Sequence, residues 1–302
     1  MEVKNMFQKQ AVMRKVLISL APLLVFSIFL YGFKSIGIFI ITFTLGIFTE
    51  WLFVRKTKQK VSEAVLVTCS LYALSMPPLV PLWIVGIGII FGIAFGKMVY
   101  GGFGRNIFNP AIAGRLFIYI SFPNTVNQWL NPRSLDGFAG ATPLAMLKNG
   151  ELPPLLNLFT GFKSGSIGEG SIILIFIAFV YLISTKTASY RSSISTIIGF
   201  LIMQSILYFM NLGGANPIYS LFSGSILFLA VFMVTDPVSS PKKNSSLILY
   251  GLLIGVFTSL IRTYSLFLEG TSFAILLGNM FAPLFDETIG KLKGGYRWKK
   301  IQ

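Results

Sequence analysis

One threonine hydroxyl stands in a sequence context that favours chemical modification. Thr142 ends the run Asp136-Gly-Phe-Ala-Gly-Ala-Thr142, and the residues just before it, Gly140 and Ala141, are small. Small side chains leave the backbone open, and Pro143 keeps Thr142 out of the helical region, so an enzyme could reach the hydroxyl oxygen. Asp136 is within reach of a metal ion carried by such an enzyme. The alternative is an ordinary loop whose glycine and alanine residues satisfy turn geometry.

Acidic residues within apolar runs are a second source of chemistry, because ionisable groups at membrane depth are costly and therefore indicate function. Four of them lie within or at the ends of such runs: Glu50, Glu169, Asp236 and Asp286. Asp236 is followed by Ser239 and Ser240, so that hard oxygens suited to a small cation are close together. A turn carboxylate is the alternative for Asp236, and an interfacial acid neutralised by Lys291 is the alternative for Asp286. We take Glu169, Asp236 and Asp286 as candidates for an ion path.

The elements that carry these residues are transmembrane helices. Hydrophobic residues make up 54% of the 302 residues and charged residues only 12%, about half the charge of a soluble domain. The chain is therefore predicted to be an all-α polytopic membrane protein. Runs long enough to cross a bilayer predict ten spans, at residues 16–33, 36–54, 64–80, 82–99, 107–122, 170–185, 192–210, 219–235, 247–262 and 271–286.

Several site types are excluded by composition. The chain has no histidine and one cysteine, Cys69, so zinc sites, disulfides, Ser-His-Asp hydrolysis and an iron–sulfur cluster held by this chain alone are excluded. We expect no metal site and no catalytic residue. Arg115 lies inside an apolar run and, if buried, needs a carboxylate, a carbonyl or a phosphate as partner.

The distribution of basic residues predicts the orientation. The net charge is +15, but in so apolar a chain this reflects the Lys and Arg of cytoplasmic loops rather than binding to nucleic acid. With both termini in the cytoplasm, most of the 25 basic residues fall on the inner side, Lys97 among them. Residues 123–169 then form a long outer loop.

Two pairs of similar motifs indicate an internal repeat. Asn106-Ile-Phe-Asn-Pro110 opens the fifth span and Asn279-Met-Phe-Ala-Pro283 closes the tenth; Ser75-Met-Pro77 and Thr235-Asp-Pro237 end the third and eighth. Two halves of five spans have opposite orientation, and proline-broken helices in matching positions are typical of inverted repeats. Chance similarity of short motifs is the alternative. The predicted organisation is a first repeat (1–122), the outer loop (123–169), a second repeat (170–290) and a basic cytoplasmic tail (291–302).

The loop motif and its neighbours resemble one family. D-G-x-x-G-A-T looks like the motif on which a flavin transferase esterifies FMN to threonine through its phosphate. Further segments occur in the family in the same order: Gly101-Gly-Phe-Gly-Arg-Asn-Ile-Phe-Asn-Pro-Ala111, Gly165-Ser-Ile-Gly-Glu169, Thr235-Asp-Pro-Val-Ser-Ser-Pro241 and Asn279-Met-Phe-Ala-Pro-Leu-Phe-Asp286. The family comprises RnfD, of the Rnf ion-translocating oxidoreductase, and NqrB, of the sodium-translocating NADH:quinone reductase. Only about 15 residues precede the first span here, which is similar to RnfD. Ala139 replaces the Ser or Thr of many members.

The resemblance implies an electron carrier that is part of an enzyme but not catalytic alone. FMN would be attached to Thr142, with Asp136, Gly140 and Ala141 in the acceptor motif. Its anionic phosphate favours a nearby cation; Lys163, with Gly165 and Ser166, is one candidate, and Arg133 and Lys148 are others. A lysine snorkelling to the interface is the alternative for Lys163.

The resemblance also implies a location in the cytoplasmic membrane of a prokaryotic cell, a second, non-covalent flavin (riboflavin) and several partners. These are a flavin transferase for maturation and the other Rnf proteins RnfA, RnfB, RnfC, RnfE and RnfG, notably the flavin-carrying RnfG. The complex would couple electron transfer from ferredoxin to NAD+ to the translocation of Na+ or H+. An NqrB-like part of a quinone reductase, or a channel or transporter without a redox role, are the alternatives.

Overall fold

The chain folds almost entirely into α-helices. The computed structural model describes residues 7–55, 59–132, 141–265 and 270–294. Within these ranges two strands of two residues each, β1 (Phe7–Gln8) and β2 (Val61–Ser62), pair in parallel, and Leu130 is a single bridge residue. The prediction of an all-α polytopic membrane protein is confirmed.

Four helices are long and apolar enough to cross a membrane, judged by length and composition in the described part of the chain. They are α1 (Ala11–Tyr31), α2 (Phe33–Val54), α10 (Tyr190–Phe209) and α13 (Asn244–Tyr264). They coincide with four of the predicted spans. The longest helix, α14 (Gly270–Gly294), contains Pro283.

The remaining helices are shorter. In chain order they are α3 (Ala64–Leu74), α4 (Leu82–Ile93) with a π-helical turn (Ala94–Met98), α5 (Pro110–Ser121), α6 (Pro123–Val126), α7 (Pro143–Lys148), α8 (Leu155–Thr160), α9 (Ile172–Ser184), α11 (Pro217–Phe222) and α12 (Ile226–Phe232). At 1.5 Å per residue, the 11 residues of α3 extend about 16 Å, roughly half of a ~30 Å hydrocarbon core. Every predicted span meets a helix, but the count of ten crossings stays a prediction.

Two predicted spans are interrupted. The run 64–80 is helical only to Leu74, because two prolines follow in Ser75-Met-Pro-Pro-Leu79 and cannot continue the hydrogen-bond ladder. The run 219–235 is broken between α11 and α12, where Gly224 has φ +67°. Each of these two runs is therefore helical over only part of its predicted length.

The carbonyls at the broken end of α3 are satisfied by a segment from the middle of the chain. Ile167 N donates to Met76 O at 3.0 Å and Gly168 N donates to Leu74 O at 2.6 Å. Leu74 Cβ would lie 2.6 Å from a Cβ at Gly168, so the close approach requires glycine. Residues 163–170, which we call the buried segment, are all shielded from solvent. The predicted outer loop 123–169 therefore ends inside the helical domain.

Helix packing repeats between the two halves. In the first half α4 packs against α2 and α5, and α3 packs against α1 and α5. In the second half α13 packs against α10 and α14, and α12 packs against α9 and α14. Matching helices also meet across the centre, α1 with α9 and α5 with α14. The inverted repeat itself, inferred from the paired motifs, stays a prediction.

Candidate functional site

Thr142 lies at the start of α7, which forms because Pro143 fits the first position of a helix. Its backbone is extended (φ −71°, ψ 154°), and its Oγ1 accepts a hydrogen bond from Ala145 N at 3.2 Å. The predicted extended conformation is confirmed. The hydroxyl is less accessible than expected, because Thr142 is only 9% exposed, whereas the preceding Ala141 is exposed.

The rest of the predicted acceptor motif cannot be placed. Asp136 and Gly140, and the alternative phosphate ligand Arg133, lie outside the described residues. Helix α7 itself packs against α11. Leu144 and Leu147 of α7 line a cavity of about 470 Å³, together with Lys148, Gln204 and Arg262. The Lys148 ammonium donates to Ser265 O at 3.2 Å.

Lys163 lies in the buried segment rather than at an interface. It is 7% exposed, and its ammonium donates to Phe222 O, at the end of α11, at 3.1 Å. Gly165 and Ser166 are buried beside it. A snorkelling lysine is therefore not what the structure shows. Lys163 and the Thr142-bearing helix α7 both contact α11, which relates the two candidates without placing them in direct contact.

Arg115 is buried and has the carboxylate partner that the sequence requires. It is 1% exposed, and its Nη2 lies 3.7 Å from Glu169 Oε1. The guanidinium also donates to Ser166 Oγ at 3.3 Å, Tyr119 Oη at 3.4 Å and Ser272 Oγ at 3.3 Å. Because Ser272 belongs to α14 and Glu169 to the buried segment, Arg115 links both halves of the molecule. Glu169 is an ion-pair partner here.

Asp236 accepts hydrogen bonds from three groups, which favours the turn interpretation. Its Oδ1 accepts from Val238 N at 3.0 Å, and its Oδ2 accepts from Ser239 Oγ at 2.9 Å and Asn109 Nδ2 at 3.3 Å. Thr235 donates instead to Val231 O at 2.6 Å. Asn109, which caps α5 through Ala111 N, links Asp236 to the first half of the chain. Within the described residues there is no His/Cys/Asp/Glu group of three or more that could hold a metal ion.

The structure does not show the alternative given for Asp286, an interfacial acid neutralised by Lys291. Its carboxylate accepts from the backbone N–H groups of Lys242 at 2.7 Å and Lys243 at 3.0 Å. Lys291, the expected neutralising partner, pairs instead with Glu287 at 2.7 Å, one helical turn away on the same face. The candidates Glu169, Asp236 and Asp286 therefore occupy three separate environments, with an ion pair for Glu169 and hydrogen bonds for the other two.

Lys97, Glu50 and Ser62 form a buried charged cluster that could not be inferred from the sequence. Lys97 Nζ donates to Glu50 Oε2 at 2.6 Å and to Ser62 Oγ at 2.7 Å. Ser62 in turn donates to Glu50 Oε1 through its N–H at 2.9 Å and its hydroxyl at 2.7 Å. Lys97 and Glu50 are each 2% exposed. Lys97 is thus buried at the end of the predicted span 82–99, and its assignment to the inner side stays a prediction. Its position inside Ala94-Phe-Gly-Lys-Met98 is the signal for burial.

Comparisons with known proteins cover nearly the whole chain. Residues 3–294 match the model of the NQR2, RnfD, RnfE family. The chain is 38% identical over 268 residues to the B subunit of the Na(+)-translocating NADH-quinone reductase from Pseudomonas paraeruginosa, covering 83% of this chain and 66% of that protein. Proteins of the same name from Azotobacter vinelandii (37% over 268 residues, 83% and 66%) and Klebsiella pneumoniae (38% over 267 residues, 82% and 65%) are similar. The chain thus spans just under two thirds of the length of these relatives. It belongs to the NQR2, RnfD, RnfE family.

Proposed function

We propose that this chain is a membrane electron carrier within an ion-translocating oxidoreductase complex and holds FMN in a phosphoester at Thr142. The observation that carries the proposal is the family match over residues 3–294, combined with the D-G-x-x-G-A-T motif that ends at Thr142. The relatives are named as subunits of a sodium-translocating NADH-quinone reductase. The finer proposal is an Rnf-type complex that passes electrons from ferredoxin to NAD+ and moves Na+ or H+.

The residues around Thr142 fit such a group. The cavity beside α7 has about 470 Å³ and is lined by apolar Leu144 and Leu147 as well as by polar Gln204. Apolar walls with a few polar groups are typical of cofactor sites. The Lys148 ammonium, at the edge of the cavity, would balance the phosphate charge. When bound, FMN supplies reversible one- and two-electron transfer, while the chain supplies position and electrostatics.

Attachment has a structural requirement. The Thr142 hydroxyl caps α7 and is largely buried, so the transferase must act before α7 docks or must open this turn. A serine at the same position retains both the cap and the hydroxyl. A valine has a similar shape and removes both.

Fluorescence of the denatured protein in a gel tests the attachment. Wild type and Thr142→Ser are expected to show a flavin band, and the Thr142 peptide is expected to gain the mass of an FMN phosphodiester. Thr142→Val is expected to lose the band, whereas Thr125→Val, in α6, is the matched control and keeps it. A dark wild-type band from the native complex would contradict the proposal and favour a channel or transporter.

The two types of complex differ in their electron donors and acceptors. Membranes with an Rnf-type complex reduce NAD+ with reduced ferredoxin, and the chain is expected to copurify with RnfA, RnfB, RnfC, RnfE and RnfG. Membranes with a quinone reductase oxidise NADH with quinone. Whichever reaction is lost in Thr142→Val identifies the complex, and a Na+ dependence of that reaction distinguishes Na+ from H+.

The second flavin proposed for this chain is non-covalent. The interior pocket beside Asp236 and Asn109 has about 60 Å³, room for a few water molecules. We therefore assign no residues to this flavin. Riboflavin released by acid denaturation of the purified chain would support it, and its absence would contradict it.

A further inference from the structure

The cluster of Lys97, Glu50 and Ser62 lies between two cavities. Lys97 lines the interior pocket that also contains Asn109 and Asp236. Glu50 and Ser62 line a second cavity of about 540 Å³, next to Lys60 and β1. Phe103 lines both cavities. The hydrogen bonds from Lys97 to Glu50 and Ser62 are therefore part of the wall between these two cavities.

The chemistry of this wall resembles an occupied cation site. Glu50 and Ser62 present hard oxygens, and the Lys97 ammonium lies where a small cation would bind. Both oxygens of Glu50 accept hydrogen bonds within the cluster. A mobile cation that passes between the cavities meets the positive charge of Lys97 in a poorly solvated position, where electrostatic repulsion is strong.

The local backbone gives Lys97 a means of moving. It belongs to the π-helical turn, in which Val99 N bonds to Ala94 O and Gly102 N bonds to Lys97 O, each five residues apart. Such turns are rare and occur often at functional sites. Return of this turn to α-helical geometry shifts the register of the following residues and would withdraw Lys97 from Glu50.

We propose that Lys97 is a tethered cation that closes a passage for monovalent cations between the two cavities. The proposal rests on the ion-translocating role inferred above, but it requires neither FMN nor electron transfer. Asp236 lies on the interior side of the closure and Glu50 on the other. The positive charge of Lys97 repels Na+ and H+ alike, so the influx of both ions is measured.

Passive leak in proteoliposomes tests the closure. The complex is reconstituted without an electron donor, and influx of ²²Na+ and of protons is followed under an imposed gradient. Wild type and Glu50→Gln are expected to show a low influx of both ions, because both retain the Lys97 ammonium. Lys97→Met is expected to raise the influx about tenfold or more, since it removes the charge and leaves Glu50 to attract cations. Lys60→Met, in the same cavity, is the matched control and stays tight.

The difference in cation influx between Glu50→Gln and Lys97→Met distinguishes a closure from an ion pair that only stabilises the fold. A structural pair gives similar effects for Glu50→Gln and Lys97→Met; that result, or a tight and folded Lys97→Met, overturns the proposal. If Lys97→Met does not accumulate, Lys97→Gln, which keeps a hydrogen-bond donor and loses the charge, takes its place with the same expectation. An unflavinylated wild type with a leaky Lys97→Met would reject the FMN proposal and retain this one.

Discussion

Removal of either partner of the Arg115–Glu169 pair should destabilise the protein strongly. Both side chains are almost fully buried, so Arg115→Met leaves a carboxylate, and Glu169→Gln a guanidinium, without its counter-ion. Loss of one partner of a buried pair costs about 3–5 kcal/mol. The long hydrogen bonds of Arg115, 3.3–3.4 Å, add little that would compensate. We expect each single variant to lose roughly this amount of its free energy of unfolding.

The double variant is the decisive comparison. The double variant Arg115→Met/Glu169→Gln removes both charges. Its loss of free energy of unfolding should therefore be smaller than the sum of the two single losses by roughly 1–3 kcal/mol. Equilibrium unfolding by SDS titration in mixed micelles measures all three free energies. Additive losses, or a single Arg115→Met loss below about 1 kcal/mol, would refute the interpretation of this pair as a charge-compensated link.

Three further effects follow from the geometry. Gly255→Ala should destabilise by about 1–3 kcal/mol in the same titration, because a Cβ would overlap backbone atoms of α10. Asn109→Ala should cost about 0.5–2 kcal/mol through the lost cap of α5, and more than Asn216→Ala, which caps α11 but does not contact a carboxylate. The hydrogen bond from Arg14 holds the pKa of Glu63 below its usual value, so the pair stabilises at neutral pH and the effect is lost as the pH falls through the lowered pKa. Arg14→Gln should therefore have a lower melting temperature than wild type at pH 7, and the difference should shrink as the pH falls through the lowered pKa of Glu63.

Each effect has its own control. Gly37→Ala places a Cβ at an ordinary 3.5 Å from Leu82 and should be neutral or slightly stabilising. If Asn109→Ala and Asn216→Ala lose the same free energy of unfolding, the contact between Asn109 and Asp236 contributes nothing to stability. A pH-independent difference between Arg14→Gln and wild type would show that charge pairing with Glu63 is not the cause.

The positions of the helices were largely predictable because hydrophobicity and proline act locally. The interruptions were less visible: the break at Gly224 lies in a run that is apolar on both sides, and the end of α3 at Leu74 depends on a partner supplied by Gly168. A run of apolar residues predicts burial, but not whether another part of the chain will replace missing backbone hydrogen bonds.

The candidate site was predictable only where one residue carries the signal. Pro143 predicts the extended backbone of Thr142, and the apolar run around Arg115 predicts a carboxylate, carbonyl or phosphate partner. The partner of Lys97 could not be inferred, because Glu50 is 47 residues away. Pairing over such distances depends on tertiary packing.

The buried segment also determines the order in which the protein can be assembled. The carbonyls of Leu74, the last residue of α3, and of Met76 just beyond it receive hydrogen bonds from Gly168 and Ile167, which the ribosome makes about ninety residues later. The N-terminal half is thus incomplete on its own, although all five of its predicted spans have already been synthesised. A functional pair of co-expressed fragments should therefore be divided after residue 170, so that the N-terminal piece carries its own closing residues.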